Sequence, residues 1–218
     1  MNAPPTILLT ALAKLRSIHI GGRAKLPEYL SAFSRLRQFA YQGADRDSLY
    51  ESTYTHAGGS SCNECNKEQL VKRTPREDAN VSLHFGTIAS RNQVIKDGET
   101  RDRLSAELGD ILCFEMEAAG LMNDFPCLVI RGICDYPDSH KNKIWQPYAA
   151  VTAAACAKEL LIAIPPHQVV NTPSTEVDPI SPQLSQLTQF IHAVQTPLHE
   201  ASSKGDVEGS YVASKGGS

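Results

Sequence analysis

The chain has 218 residues, is 41% hydrophobic and 6% aromatic, and carries a formal net charge of -3 with a pI near 6.2. That is enough apolar material for one good-sized core plus tails, and the mild acidity gives no reason to expect a bulk nucleic-acid or anionic-membrane surface. A small molecule is the expected partner.

Ile7 to Ala13 is the one apolar stretch near the start. It is too short to span a bilayer and no basic segment precedes it, so an intracellular, cytoplasmic setting without a membrane span is expected. It reads as the beginning of an amphipathic helix over 7–18, with Leu8, Leu9, Leu12 and Leu15 on one face and Gly21-Gly22 as its stop. Pro27 suits the first turn of a second helix, whose apolar face repeats at Leu30, Phe33, Leu36 and Phe39. Residues 41–80 are polar and punctuated by Gly43, Gly58-Gly59 and Pro75, which predicts a loop-rich insertion with short strands near 48–54 and 69–72. A loop of that length in a compact domain is functional or poorly ordered.

From Val81 the pattern turns to alternating elements. A strand is predicted over 81–89, then a short helix over 100–108 with Arg101 and Arg103 exposed, a strand over 111–114, a helix over 116–123 and a strand over 127–134. A long helix follows over 145–164. Strand, helix and strand in succession, with Leu128-Val129-Ile130 apolar on consecutive positions, argue for an α/β fold whose parallel sheet is buried on both faces. The last helix is rich in alanine, so it can lie close to the sheet; Pro147 is tolerable only in its first turn, and Pro165-Pro166 end it. Residues 167–218 shift to Pro, Ser, Thr, Gln and Gly and read as a disordered linker or tail, with 184–194 its one apolar run.

Of the six cysteines, Cys113, Cys127, Cys134 and Cys156 lie in apolar or alanine-rich runs, where a thiol behaves as a small buried hydrophobe, so a secreted disulfide framework is not expected. Cys62 and Cys65 differ. As a Cys-x-x-Cys with His56 nearby they offer three zinc ligands, with His84 a conceivable fourth, set against plain reduced thiols in a surface loop. The second half of a usual zinc pattern is missing, so the expectation is no metal, with these three as the candidates.

The chemistry-bearing runs are Cys113-Phe114-Glu115-Met116-Glu117-Ala118-Ala119-Gly120 and Cys127-Leu128-Val129-Ile130-Arg131-Gly132-Ile133-Cys134-Asp135. Each predicted strand ends in a carboxylate, which is where open α/β sheets bind ligands. One ionised carboxylate can accept hydrogen bonds from two ribose hydroxyls while a second carboxyl passes a proton to a departing purine. Set against that, a Glu at a helix start complements the helix dipole and an Asp at a strand end caps a loop. His140, Lys141 and Lys143 read as a solvated charge run rather than as phosphate or ribose contacts.

Phe114-Glu115-Met116-Glu117-Ala118-Ala119-Gly120 with Arg131-Gly132-Ile133-Cys134-Asp135 resembles the paired signature of the purine nucleoside phosphorylase, uridine phosphorylase and methylthioadenosine/S-adenosylhomocysteine nucleosidase superfamily. Gly86-Thr87-Ile88-Ala89-Ser90 and Asp135-Tyr136-Pro137-Asp138-Ser139-His140-Lys141-Asn142 bring the likeness closest to the version in fungal multidomain proteins. The resemblance runs from about Pro4 to Pro165. It implies a three-layer sandwich around a largely parallel sheet, and cleavage of a purine nucleoside at its N-glycosidic bond by a glycosyltransferase or an N-glycosidase. No cofactor is implied beyond inorganic phosphate as a co-substrate. Further implied are a homo-oligomer, a downstream domain, and no nucleic-acid or membrane partner.

By position, the resemblance gives Glu117 the ribose hydroxyls, Met116 the sugar face, Asp135 the proton for the purine N7, and Glu115 a place near an attacking water. Phe85 and Ile88 would flank the base. Arg91 stands where the family usually has Gly, and Cys134 where many members have Ser. The family's first strands and glycine-rich phosphate site have no counterpart here. The expectation is therefore a partial phosphorylase-like domain over 1–166 for purine-nucleoside N-glycosidic cleavage by phosphorolysis or hydrolysis, with activity of this chain alone left open, or alternatively a non-catalytic nucleoside-sensing or interaction module of a multidomain signalling protein.

Overall fold

The computed structural model describes residues 3–59, 61–74, 80–109 and 111–170. The expected tail lies outside the described residues except for 167–170, which belong to a short helix; the apolar run 184–194 lies outside altogether. The described residues form helices α1 (Thr6–Ile20), α2 (Leu26–Ser31), α3 (Gly98–Leu108), α4 (Ala118–Asp124), α5 (Gln146–Ala163) and α6 (Pro166–Val170), with strands β1 (Thr87–Ser90) and β2 (Ile111–Glu115). The fold is mixed α/β with a small parallel sheet.

The core lies between α1 and α5. Ala11, Leu15, Leu160, Ala163 and Ile164 form its buried centre, and Leu8, Leu12, Leu128 and Ile130 pack around them. On α1 the buried face therefore runs Leu8, Ala11, Leu12, Leu15, while Leu9, expected on it, is 44% exposed. The helical turn of about 100° per residue carries Leu9 off the stripe that Leu8 begins. Gly21 closes α1 and Gly22 takes φ +66°, a left-handed conformation that glycine adopts without strain.

One buried carboxylate joins three elements. Glu159 of α5 accepts the Lys25 backbone N–H at 2.6 Å and pairs with His19 Nε2 at 2.7 Å, holding the α1–α2 turn against α5. Lys14 Nζ adds a bond to the Ala163 carbonyl at 3.1 Å. The predicted second helix is cut short after Ser31. The Ser31 and Ser34 hydroxyls bond back to carbonyls three residues earlier, at 2.7 Å each, which favours turns over a continued α-helix.

β1, α3 and β2 make the one βαβ unit among the described residues. β1 and β2 pair in parallel, with Ala89 opposite Phe114 and Ser90 opposite Glu115, and with a register irregularity between Thr87 and Ile88. α3 begins on an Asp97 side chain that accepts the Thr100 N–H at 2.8 Å. Arg103 is exposed as expected, but Arg101 is half-buried and pairs with Asp102 at 2.7 Å and with Asp138 at 3.7 Å.

One predicted strand is shortened and one is not formed. Residues 80–85 and 126–134 carry no strand assignment, so the strand expected over 81–89 shrinks to 87–90 and the one over 127–134 is absent. An apolar run becomes a strand only where a neighbour supplies a hydrogen-bonding ladder, and β2 gains no such partner on its far side among the described residues. Within 41–80 the two expected short strands are reduced to one antiparallel bridge, between Tyr50 and Leu70. Glu51 N–H donates to the Gln69 carbonyl at 2.8 Å and Val71 N–H to the Leu49 carbonyl at 2.9 Å.

What holds 126–134 is α5. A Cβ placed on Gly132 would overlap the backbone of Ala149, so the two segments touch main chain to main chain. Pro147 lies in the first turn of α5, where its missing N–H costs nothing. Gly132→Ala is expected to destabilise the protein by about 1–3 kcal/mol through overpacking. Gly120→Ala, at a helical position with open space around it, is expected to be neutral or stabilising by a few tenths of a kcal/mol. Equal urea midpoints for the two variants would remove the close approach as a determinant of the fold.

Candidate functional site

The parallel register sets Ser90 beside Glu115, and both side chains turn to the start of α4. Glu115 Oε2 accepts the backbone N–H groups of Glu117 at 2.8 Å and Ala118 at 2.7 Å, and Ser90 Oγ accepts that of Ala119 at 3.0 Å. Three of the N–H groups that a helix start leaves unpaired are thereby satisfied. Glu115 is 5% exposed, and its Oε1 has no hydrogen-bond partner among the described residues. Burial alone would raise its pKa. The Ser90 hydroxyl, the Ala118 and Glu117 N–H groups and the nearby Arg131 outweigh burial and hold the carboxyl below its ordinary value.

Glu117 and Met116 stand at the same strand end and are exposed; Glu117 Oε2 accepts the Met116 N–H at 3.2 Å. Asp135 is half-buried elsewhere. Its Oδ1 accepts Lys141 Nζ at 2.6 Å, and the Cys134 thiol approaches Oδ2 at 3.6 Å. Burial, followed by the Asp135 charge, pushes that thiol's pKa up, so Cys134 is a neutral neighbour.

A cavity of about 1030 Å³ opens between 80–86, 128–136 and α5, at the upper end of the usual size for small-molecule sites. Its wall includes Asp135, Phe85 and Ile88. The Arg16 guanidinium lies 5.6 Å over the Phe85 ring. Glu115, Met116 and Glu117 do not line the cavity. The structure thus gathers the six expected site residues into two groups, one at the carboxyl end of β2 and one on the cavity wall.

Several cavity residues were not singled out in the sequence. Arg73 donates to the Asp47 carboxylate at 3.3 Å and to the Tyr136 hydroxyl at 2.7 Å, and that hydroxyl donates to the other Asp47 oxygen at 2.8 Å. Burial and the Asp47 charge push Tyr136 up to about 12, so the phenol stays protonated. Lys141, read from sequence as solvated, is instead the partner of Asp135. No short-range signal links Asp47, Arg73 and Tyr136, because they are far apart in the chain.

His56, Cys62 and Cys65 come together, their ligand atoms all within 4.8 Å of one another. His84 is not in that group; it lines the cavity. Burial, followed by the neighbouring Cys65 and Asp138, raises the Cys62 thiol to about 11.

No protein-family model matches the chain, and no solved structure does. Over 178 residues it is 43% identical to a nucleotide-binding leucine-rich repeat (NLR)-like protein of Hyaloscypha variabilis, covering 78% of this chain and 18% of that protein. Over 81 residues it is 32% identical to a death domain-containing ATP nucleosidase of Amphimedon queenslandica, covering 34% of this chain and 15% of that protein. The chain spans under a fifth of the length of either curated relative. No helix among the described residues is long and apolar enough to cross a membrane.

Because Glu115 titrates lower in the fold than its ordinary 4.5, the folded state gains stability from it above that pH and loses it as pH falls through the folded value. Glu115→Gln is expected to cost about 1 kcal/mol at pH 7, in the range of a lost helix cap. The gap to the parent should narrow as thermal melts are taken from pH 7 to below 4.5. A gap that is constant with pH would deny the carboxylate its charged bracing role.

Proposed function

We propose that this chain carries the base-side portion of a purine-nucleoside N-glycosidic cleavage site. Asp135 on the wall of the large cavity is the observation that carries this reading. The partial likeness to a protein named an ATP nucleosidase supports the reaction class. Cleaving the bond develops positive charge on the ribosyl ring and electron density on the leaving purine, so an acid at N7 lowers the barrier. With Lys141 on Oδ1, Oδ2, which the Cys134 thiol approaches at 3.6 Å, is the Asp135 oxygen to carry that proton. Phe85 and Ile88 supply apolar surface for the base.

On the sugar side, Glu117 would accept the ribose hydroxyls, with Met116 against the ring. Glu115 commits Oε2 to α4 and keeps Oε1 for a water. Whether water or inorganic phosphate takes the ribosyl group separates a nucleosidase from a phosphorylase.

A second reading is a nucleoside-sensing or interaction module without turnover. It is favoured by the position of Glu115, Met116 and Glu117 outside the cavity that holds Asp135, and by the NLR-like name of the more extensive relative. Incubation with ATP, adenosine and other purine nucleosides, with and without phosphate, followed by chromatography of free base and of ribose or ribose 1-phosphate, separates the readings. Asp135→Asn is expected to lower base release by about 10²–10⁴-fold, the usual range for general-acid catalysis. Base release that neither Asp135→Asn nor Glu117→Ala alters would sink the assignment. Calorimetric binding of nucleoside with no base released would favour the sensing module.

A further inference from the structure

The loop 41–80 and the loop that follows Asp135 meet at a cluster of groups that the proposed cleavage does not use. His56, Cys62 and Cys65 converge from the first loop, and His140 from the second. The His140 and His56 ring centres are 5.3 Å apart at 66°. His140 is 7% exposed as a residue, and neither of its ring nitrogens has a hydrogen-bond partner among the described residues. An unpaired imidazole buried to that degree is unfavourable unless something occupies it. Its ring stacks on Tyr50 at 4.2 Å, which fixes the plane and leaves only the in-plane nitrogens to find a partner.

We propose that His56, Cys62, Cys65 and His140 form a tetrahedral structural zinc site that staples the 41–80 loop to the loop carrying Asp135 and Lys141. The reading is independent of the cleavage reaction. Two thiolates and two imidazoles are a zinc donor set. With Zn–S near 2.3 Å and Zn–N near 2.0–2.1 Å, tetrahedral ligand atoms lie roughly 3.3–3.8 Å apart. The ligand atoms of His56, Cys62 and Cys65 already lie within 4.8 Å of one another, so these three close with a contraction of about 1 Å, while His140, outside that group, has further to move. The same bond lengths set two imidazole centres on one ion roughly 5 Å apart, which matches the observed 5.3 Å.

The outer groups fit as well. Zinc-bound histidines usually give their second ring N–H to a carboxylate or a carbonyl, which fixes the tautomer. Asp138 Oδ1 is 3.7 Å from His140 Nδ1 and also accepts the His140 backbone N–H at 2.7 Å. That arrangement leaves His140 Nε2 for the metal. His56 Nε2 is 3.2 Å from the Ser61 carbonyl, which makes Nδ1 its ligand atom in place of the bond from the Gly58 N–H at 3.0 Å. On binding, Cys62 and Cys65 each lose a proton to solvent and two S–Zn bonds form; no electron is transferred. His56 N–H donating to Ser139 Oγ at 3.0 Å already joins the two loops beside the site.

The test uses the full chain, expressed with added zinc and purified under reducing conditions without chelator. Plasma mass spectrometry is expected to find one zinc per chain. Exchange for cobalt should give the visible absorption of a tetrahedral ion with thiolate charge-transfer bands. Asp138→Asn is expected to weaken zinc binding by about 10–100-fold, as loss of an outer-shell carboxylate does, and His140→Ala by more. His84→Ala should retain the metal. Zinc below a tenth of an equivalent in folded wild-type protein, an octahedral cobalt spectrum, or a Cys62–Cys65 disulfide in its place would overturn the proposal whether or not any variant folds. His140→Ala binding zinc as tightly as the parent would overturn the four-ligand site.

Discussion

The main-chain contact between Gly132 and Ala149 is the constraint on which the arrangement of the site depends. Residues 126–134 have no strand partner among the described residues, so their path is set by what they lie against, and that is the alanine face of α5. α5 is positioned in turn by the apolar seam with α1 and by Glu159, whose two oxygens hold His19 and the Lys25 N–H. Asp135 therefore takes its position from a helix later in the chain and, through it, from the first helix. Any side chain at position 132 would push the acid-bearing loop away from its support.

The two acidic ends are built differently. Glu115 is held by local geometry: a parallel register that sets it beside Ser90, and a helix start two residues on whose free N–H groups attract a carboxylate. Asp135 is held by a long-range scaffold and by an ion pair with Lys141 across a loop. A register pair can be anticipated from neighbouring residues. A loop ion pair depends on where α5 lets the loop fall.

Polar ties, together with the buried Tyr50 and Cys65, hold the described part of the loop between α2 and β1. Asp47, Arg73 and Tyr136 form a closed set of hydrogen bonds, Trp145 N–H reaches the Arg46 carbonyl at 3.2 Å, and His56 meets Ser139. Each tie runs from the loop to the stretch between Asp135 and the start of α5. Such networks are costly when half-made and stiff when complete, so the wall of the cavity and the order of this loop rise and fall together.

Much of the helical content was legible because apolar period and punctuation agree: Gly21-Gly22 end α1, and Pro147 sits in the first turn of α5. The run Leu128-Val129-Ile130 misled for a physical reason, since apolarity on consecutive positions reports burial on two sides but not the presence of a ladder partner. Leu9 misled because neighbours on a helix diverge by about 100°. Of the site, the types and spacing of Glu115, Glu117, Asp135, His56, Cys62 and Cys65 were visible in the chain. Their grouping was not: His140 rather than His84 stands beside His56, and Lys141 is a partner rather than a solvated charge. By itself the sequence determined most of the helical segments and which ionisable side chains and thiols the chain offers, because both follow from local periodicity and residue type. Only the tertiary structure decided which of those residues meet, because that depends on how closely a glycine and an alanine backbone approach and on which loop groups find each other across the cavity.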